Sequence, residues 1–192
     1  MLFLYLHPVA DERIDIFDEQ NVSCVGSALK SKAHRTGLWH RAVHIWVYTP
    51  QGMLLLQLRS KNKLLYPGVW DVSAAGHVSA GESVISSALR ELEEELGIVA
   101  QANELLFWKI FTSSNTQNGL FDNEFRYVYF LCREIVPQEI TLQQEEVEEY
   151  RFISLQDLRD DLIKHSAHYA LHGEMWFVVL DELSARMNNH SL

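Results

Sequence analysis

The chain has 192 residues, 47% of them hydrophobic, and a formal net charge of −10 from 16 basic and 26 acidic side chains. That length fits one domain with a full core, and the acidic balance argues against a nucleic-acid surface, which needs clustered Lys and Arg. Two cysteines, Cys24 and Cys132, make no disulfide framework, so reduced thiols and a cytoplasmic setting are expected, with Cys132 in the core of an apolar run.

The opening segment, residues 1–6, is apolar but lacks a basic flank and is too short for a signal peptide or a membrane span. Residues 14–17 and a run near 22–28 flank the turn Asp18-Glu19-Gln20-Asn21, which predicts a hairpin over about 12–30. Residues 42–48 alternate Val43, Ile45 and Val47 against Ala42, His44 and Trp46. Thr49-Pro50-Gln51-Gly52 then turns the chain into 53–59, a second hairpin. A strand is expected at 70–74. From 83 to 96, Val84, Ile85, Ala88, Leu89, Leu92 and Leu96 recur at helical spacing, and Gly97 ends that helix. Strands follow at 106–112, 124–132 and 149–153, then helices at 155–164 and about 169–187. No repeat or long linker interrupts the order, so residues 1–192 are read as one α/β domain with helices flanking a mixed sheet, an α/β/α sandwich.

The chemistry concentrates on the helix at 83–96. Glu91, Glu94 and Glu95 stand at i, i+3 and i+4, so their carboxylates leave the same last turns. Acidic groups there oppose the helix dipole, at about 0.3–1 kcal/mol each, and repel one another. A hard divalent cation removes the conflict, since magnesium is commonly held by one or two carboxylates plus substrate phosphates. A solvated acidic face is the plain alternative for such a run taken alone.

Gly76, Glu82, Arg90, Glu91, Glu94, Glu95 and Gly97, with aliphatic Leu92 and Ile98, stand in one register over residues 76–98. That register resembles the complete signature of the Nudix hydrolases. The resemblance implies the Nudix fold, hydrolysis of a diphosphate joined to another group, and Mg2+ or Mn2+ as cofactor. It assigns Glu94 and Glu95 to the metal, Glu91 to the metal or to activation of the attacking water, and Arg90 to orienting Glu91. Glu82 would brace the loop before the helix and assist the metal. Glu93 fills the variable position.

Residues 14 to about 180 are similar to the isopentenyl diphosphate isomerase branch of that superfamily. The segment from Leu58 to Trp70 matches that branch's basic strand and loop, which implies that Arg59 and Lys63 grip a diphosphate. The branch also binds a metal through residues whose counterparts here are His34, His40, His77, Asp122 and Glu124, although His34 and His40 stand six apart, one fewer than in its pattern. Trp176 falls where the isomerase sets a tryptophan against its substrate; packing of the C-terminal helix is the other reading. Isomerisation, however, needs a cysteine where this chain has Ala75. Cys24 and Cys132 do not replace it in sequence, and the isomerase lacks the counterparts of Glu91 and Glu94.

The expectation is therefore a hydrolase on an isomerase-like scaffold. An isomerase and a non-catalytic diphosphate sensor stand as alternatives. The expected partner is a small-molecule diphosphate, either isoprenoid or a nucleoside derivative stacked on Trp39, Trp46, Phe121 or Tyr127. No nucleic acid or membrane is expected, and a homodimer is compatible with the sequence. The acidic run at 145–149 is either a solvated edge or the source of one further acid.

Overall fold

The computed structural model describes residues 11–189; the apolar segment 1–6 lies outside them. β1 (Arg13–Phe17) and β2 (Cys24–Leu29) form the expected antiparallel hairpin. The Asp18 carboxylate ties its turn by accepting from the backbone N–H groups of Val22 and Ser23, at 2.8 and 2.9 Å. A short helix that the sequence pattern did not announce, α1 (Lys30–Thr36), follows and closes at Gly37, whose φ of 70° is left-handed.

β3 (His40–Tyr48) and β4 (Met53–Arg59) are joined by the expected turn, but only Tyr48 and Leu54 pair across it. The two strands splay. β3 pairs antiparallel with β6 (Ala74–His77) and parallel with β8 (Leu120–Cys132). β4 pairs instead with β5 (Trp70–Asp71) and β9 (Val147–Ser154). The single strand expected at 70–74 is thus two. Ser73 lies in the break, where its hydroxyl accepts from Val47 N–H at 2.8 Å and donates to Leu55 C=O at 2.5 Å. It satisfies two backbone groups that the splay leaves without ladder partners. β7 (Leu106–Gln117) runs longer than expected and returns as β8 through Asn118 and Gly119, both at positive φ. An Asn-Gly pair is a strong hairpin signal because both central residues of that turn need φ above zero.

Helices cover both faces of this nine-stranded sheet. α2 (Val84–Leu96) begins where the Ser83 hydroxyl accepts from Ser86 N–H and ends at Gly97 in the left-handed region. Its Ala88, Leu92 and Leu96 pack on Val43, Ile45, Val47 and Leu55. On the other face Trp46, Leu54, Leu56 and Phe130 meet α3 (Leu155–Lys164) and α4 (Met175–Asn189) through Leu158, Leu162, Val179, Leu180 and Leu183. Each fully buried large aliphatic contributes roughly 1.5–3 kcal/mol. The helix expected at 169–187 begins only at Met175; before it the chain makes a 3-10 turn at Ser166–His168 and then a loop, pinned where Ala170 N–H donates to Trp70 C=O at 2.9 Å. Among the described residues, no helix is long and apolar enough to cross a membrane. Cys132 is exposed at the end of β8 rather than in the core, as is Cys24.

Candidate active site and histidine cluster

Arg90 organises the acidic face of α2. Its guanidinium donates to Glu91 at 2.8 Å, Glu94 at 3.0 Å, Glu82 at 3.1 Å and the carbonyl of His77 at 3.1 Å. Glu82 also accepts from the Ser87 hydroxyl at 2.5 Å, so one carboxylate ties the preceding loop to the helix. Burial raises the Glu91 carboxyl above its usual range, with Arg90 opposing. Glu95 turns inward, accepting from the Gln57 amide and from Ala75 N–H, each at 3.0 Å. Burial and then the charge of Glu91 push it up to about 8. Glu94 stays half exposed.

Two buried carboxyls that resist losing their protons, beside a third that is open to solvent, form a site short of positive charge. Their oxygens do not form a group mutually within 4.8 Å among the described residues. A magnesium ion does not need one, because it keeps several waters of its own. Gly76 has a structural reason different from backbone freedom: a Cβ there would fall 2.0 Å from the Glu91 carboxyl carbon.

The histidines form a second centre across β6. His34 lies on α1, His40 opens β3, and the Gly37 turn between them folds six residues so that both rings meet His77 on β6. The ligand atoms of His34, His40 and His77 lie within 4.8 Å of one another, as do those of His40, Asp122 and Glu124. His34 Nδ1 is 2.9 Å from Phe121 C=O, and His40 Nδ1 is 2.8 Å from Leu38 C=O. A carbonyl only accepts, so in both rings Nδ1 carries the proton and Nε2 offers a lone pair. The buried His40 Nε2 has no hydrogen-bond partner, and Glu124 Oε1 stands 3.8 Å from it and 3.6 Å from His77 Nε2. Burial lowers His40, and His77 well below the usual range, which favours the neutral rings a metal would need; His77 Nε2 lies 3.1 Å from His34 Nε2 and donates to its lone pair. Convergent ring nitrogens and a carboxylate oxygen, with an orphaned His40 nitrogen among them, fit a divalent transition metal once His77 gives up its Nε2 proton.

Buried charge flanks this cluster. Arg126 spends all three guanidinium nitrogens, on Glu124 Oε2 at 2.7 Å, Asp122 Oδ2 at 2.9 Å and His172 Nδ1 at 3.0 Å. Burial and the charge of Glu124 raise Asp122 to about 7, while Arg126 and the nearby histidines hold Glu124 at about 2 against its burial. Sequence reasoning missed Arg126, Asp71 and His172. The available signal was a charged residue in the apolar run of β8.

Each of the three residues expected at the substrate has partners within the protein. Arg59 faces inward, donating to Leu65 C=O, Tyr66 C=O and Asp71, each at 3.0 Å, so it shapes the loop after β4 instead of presenting free donors to a ligand. Lys63, on that loop, pairs with Glu146, a member of the acidic run. Trp176 is 2% exposed; its indole N–H donates to Ala170 C=O and its ring meets Trp46, Tyr169 and His172. It packs α4. Of the aromatics considered for base stacking, Trp46 is fully buried, Trp39 stacks on Phe125, and Phe121 is 41% exposed.

The structure is thus a three-layer α/β/α sandwich with a braced glutamate face at the end of one helix. Residues 38–172 match the family model of the NUDIX domain, and the chain belongs to the Nudix hydrolase family. It is 39% identical over 168 residues to Nudix hydrolase 3 of Arabidopsis thaliana, an alignment covering 84% of this chain and 22% of that protein. The chain therefore spans about a fifth of that relative's length. An isopentenyl-diphosphate Delta-isomerase of Serratia proteamaculans is 30% identical over 171 residues, 88% of this chain and 89% of that one. The crystal structure of DR0079 from Deinococcus radiodurans superposes with a TM-score of 0.64 at 26% identity, covering 88% of this chain and 97% of that chain.

Proposed function

We propose that the protein hydrolyses a diphosphate linkage in a small organic or nucleoside diphosphate derivative, in a cytoplasmic setting, with magnesium or manganese held by Glu91, Glu94 and Glu95 and assisted by Glu82. The observation that carries this reading is the Arg90 fork, which turns Glu91 toward the position that Gly76 leaves open. When bound, the cation supplies charge neutralisation at the diphosphate oxygens and lowers the pKa of a coordinated water. Glu91, whose proton affinity is raised by burial, takes the proton of the attacking water. Lys63, on the loop that Arg59 shapes, meets the diphosphate once Glu146 releases it. His34, His40, His77 and Glu124, with Asp122 beside them, hold a second, transition-metal ion.

Isoprenoid diphosphates lead the candidate substrates, because an isomerase-named relative aligns over most of both chains. Ala75 offers no proton donor or acceptor for isomerisation. The exposed ring of Phe121, whose carbonyl orients His34, keeps nucleoside derivatives on the panel. Phosphate and pyrophosphate release should be measured across isoprenoid diphosphates, nucleoside triphosphates and nucleotide sugars, with and without magnesium. Metal-dependent turnover of one class is the expected result. No turnover of any class by folded, metal-loaded protein would sink the hydrolase reading in favour of a diphosphate-sensing module.

A further inference from the structure

We propose that Arg126 is a positioning residue that couples ion binding at the histidine cluster to diphosphate binding at the Lys63 loop. The proposal rests on the assignment of Lys63 to the diphosphate given above. The coupling runs through side chains in unbroken contact. Glu124 divides its carboxylate, with Oε1 toward His40 and His77 and Oε2 on Arg126 at 2.7 Å. Arg126 donates to His172 Nδ1 at 3.0 Å, which obliges that ring to carry its proton on Nε2. Nε2–H then donates to Asp71 Oδ1 at 2.6 Å. Asp71 Oδ2 accepts from Arg59 at 3.0 Å, and Arg59 fixes the carbonyls of Leu65 and Tyr66 on the Lys63 loop.

The side chains from Glu124 to Asp71 are enclosed, with Arg126 and Asp71 each 2% exposed and the His172 side chain 4%. Water therefore does not substitute for a lost partner, and a misdirected hydrogen bond anywhere in the relay is costly. Arginine only donates and an ionised carboxylate only accepts, so Arg126 and Asp71 together fix which His172 nitrogen carries the proton. An ion drawing on Glu124 Oε1 pins the carboxylate whose Oε2 accepts from Arg126, and so restrains the contacts beyond it. The ordering needed by the diphosphate loop is then already in place, which makes the two ligands bind with positive coupling. By linkage the effect is reciprocal.

The experiment titrates cobalt(II), whose visible absorption reports nitrogen ligation, into the full chain in saturating magnesium, with and without methylenediphosphonate. The expected result is a cobalt Kd lowered by about tenfold with the analogue, and an analogue Kd lowered by the same factor with cobalt. In His172→Phe both ligands should still bind, but independently, because a phenyl ring has no nitrogen with which to bridge Arg126 and Asp71. In Arg126→Lys, which reaches fewer partners at once, the factor should shrink toward one. A merely structural contribution by either residue would weaken both affinities and leave the ratio unchanged.

Independent binding in the wild type would overturn the coupling and leave the loop assignment standing. A coupling retained in His172→Phe would also overturn it, since the analogue would then be reaching the cobalt directly. Analogue binding that is absent, or insensitive to Lys63→Ala, would overturn the loop assignment and the coupling with it.

Discussion

Gly76→Ala tests the catalytic geometry with a single methyl group. Gly76 lies on β6 and does not have a positive φ, so alanine is acceptable to the backbone itself. The added Cβ would sit 2.0 Å from the Glu91 carboxyl carbon and 2.1 Å from Oε1, whereas ordinary contact begins near 3.4 Å. The carboxyl must retreat by about 1.4 Å, and the oxygen that moves is the one Arg90 holds at 2.8 Å. Misplacing a catalytic group by about 1 Å costs on the order of 100-fold in rate, so kcat should fall by about that factor. The fold should survive, because Glu91 is a side chain whose burial opposes its ionised form. Steady-state phosphate release in saturating magnesium, paired with a thermal melt, separates the two effects. If Gly76 acts through Glu91, adding Gly76→Ala to Glu91→Gln should cost little more than Glu91→Gln alone. A kcat within about threefold of the wild type would refute the placement of Glu91 at the reacting water.

Glu95 ties stability to pH. Its folded pKa of about 8 lies above the ordinary 4.5, so the folded chain holds a proton that the unfolded chain has lost. In metal-stripped protein this contribution to stability falls as pH rises from 4.5 to 8. Glu95→Gln should make a melt series flatter across that window, and an unchanged slope would contradict the assignment. The same variant should lose about 10²–10⁴-fold in kcat while staying folded, and unimpaired turnover would remove Glu95 from the metal. Gly119→Ala places a Cβ at a φ of 77° in the β7–β8 turn. It should cost about 1 kcal/mol and about 2–4 °C in Tm, with activity unaffected. His40→Ala should remove one tightly held transition metal, measured by elemental analysis, and retention of that ion would place it elsewhere.

α2 was legible because its signals are local: Ser83 and Gly97 cap it as their residue types require, and the apolar stripe names the buried face. The elements at 53–59 and 155–164 appear with the bounds read from the sequence for similar reasons. α1 escaped notice because seven residues carry too little periodicity, with only Ala33 and His34 buried. Its absence from the sequence reading obscured how a six-residue separation brings His34 to His40. The break at Ser73 depends on two backbone groups belonging to β3 and β4, and no local pattern encodes that. The long hairpin was in fact encoded, by Asn118-Gly119, and went unread. Arg126, Asp71 and His172 are 46 to 101 residues apart along their hydrogen bonds, so their convergence is a property of the sheet and loop packing alone.

One four-residue strand serves both centres. Ala75, Gly76 and His77 are consecutive on β6, and each contributes something different. Ala75 gives its N–H to Glu95, Gly76 leaves room for Glu91, and His77 sends Nε2 to the histidine cluster while its carbonyl accepts from Arg90. What position 75 supplies to the acidic face is therefore backbone, which any residue other than proline retains. Ala75→Cys should accordingly leave hydrolysis within about threefold of the wild type, measured as kcat and KM on the substrate that the panel identifies. A rise in KM at unchanged kcat would show instead that the space beside the Ala75 methyl is occupied by substrate. A fall in kcat with the metal still bound would show that Glu95 depends on more of this residue than its N–H.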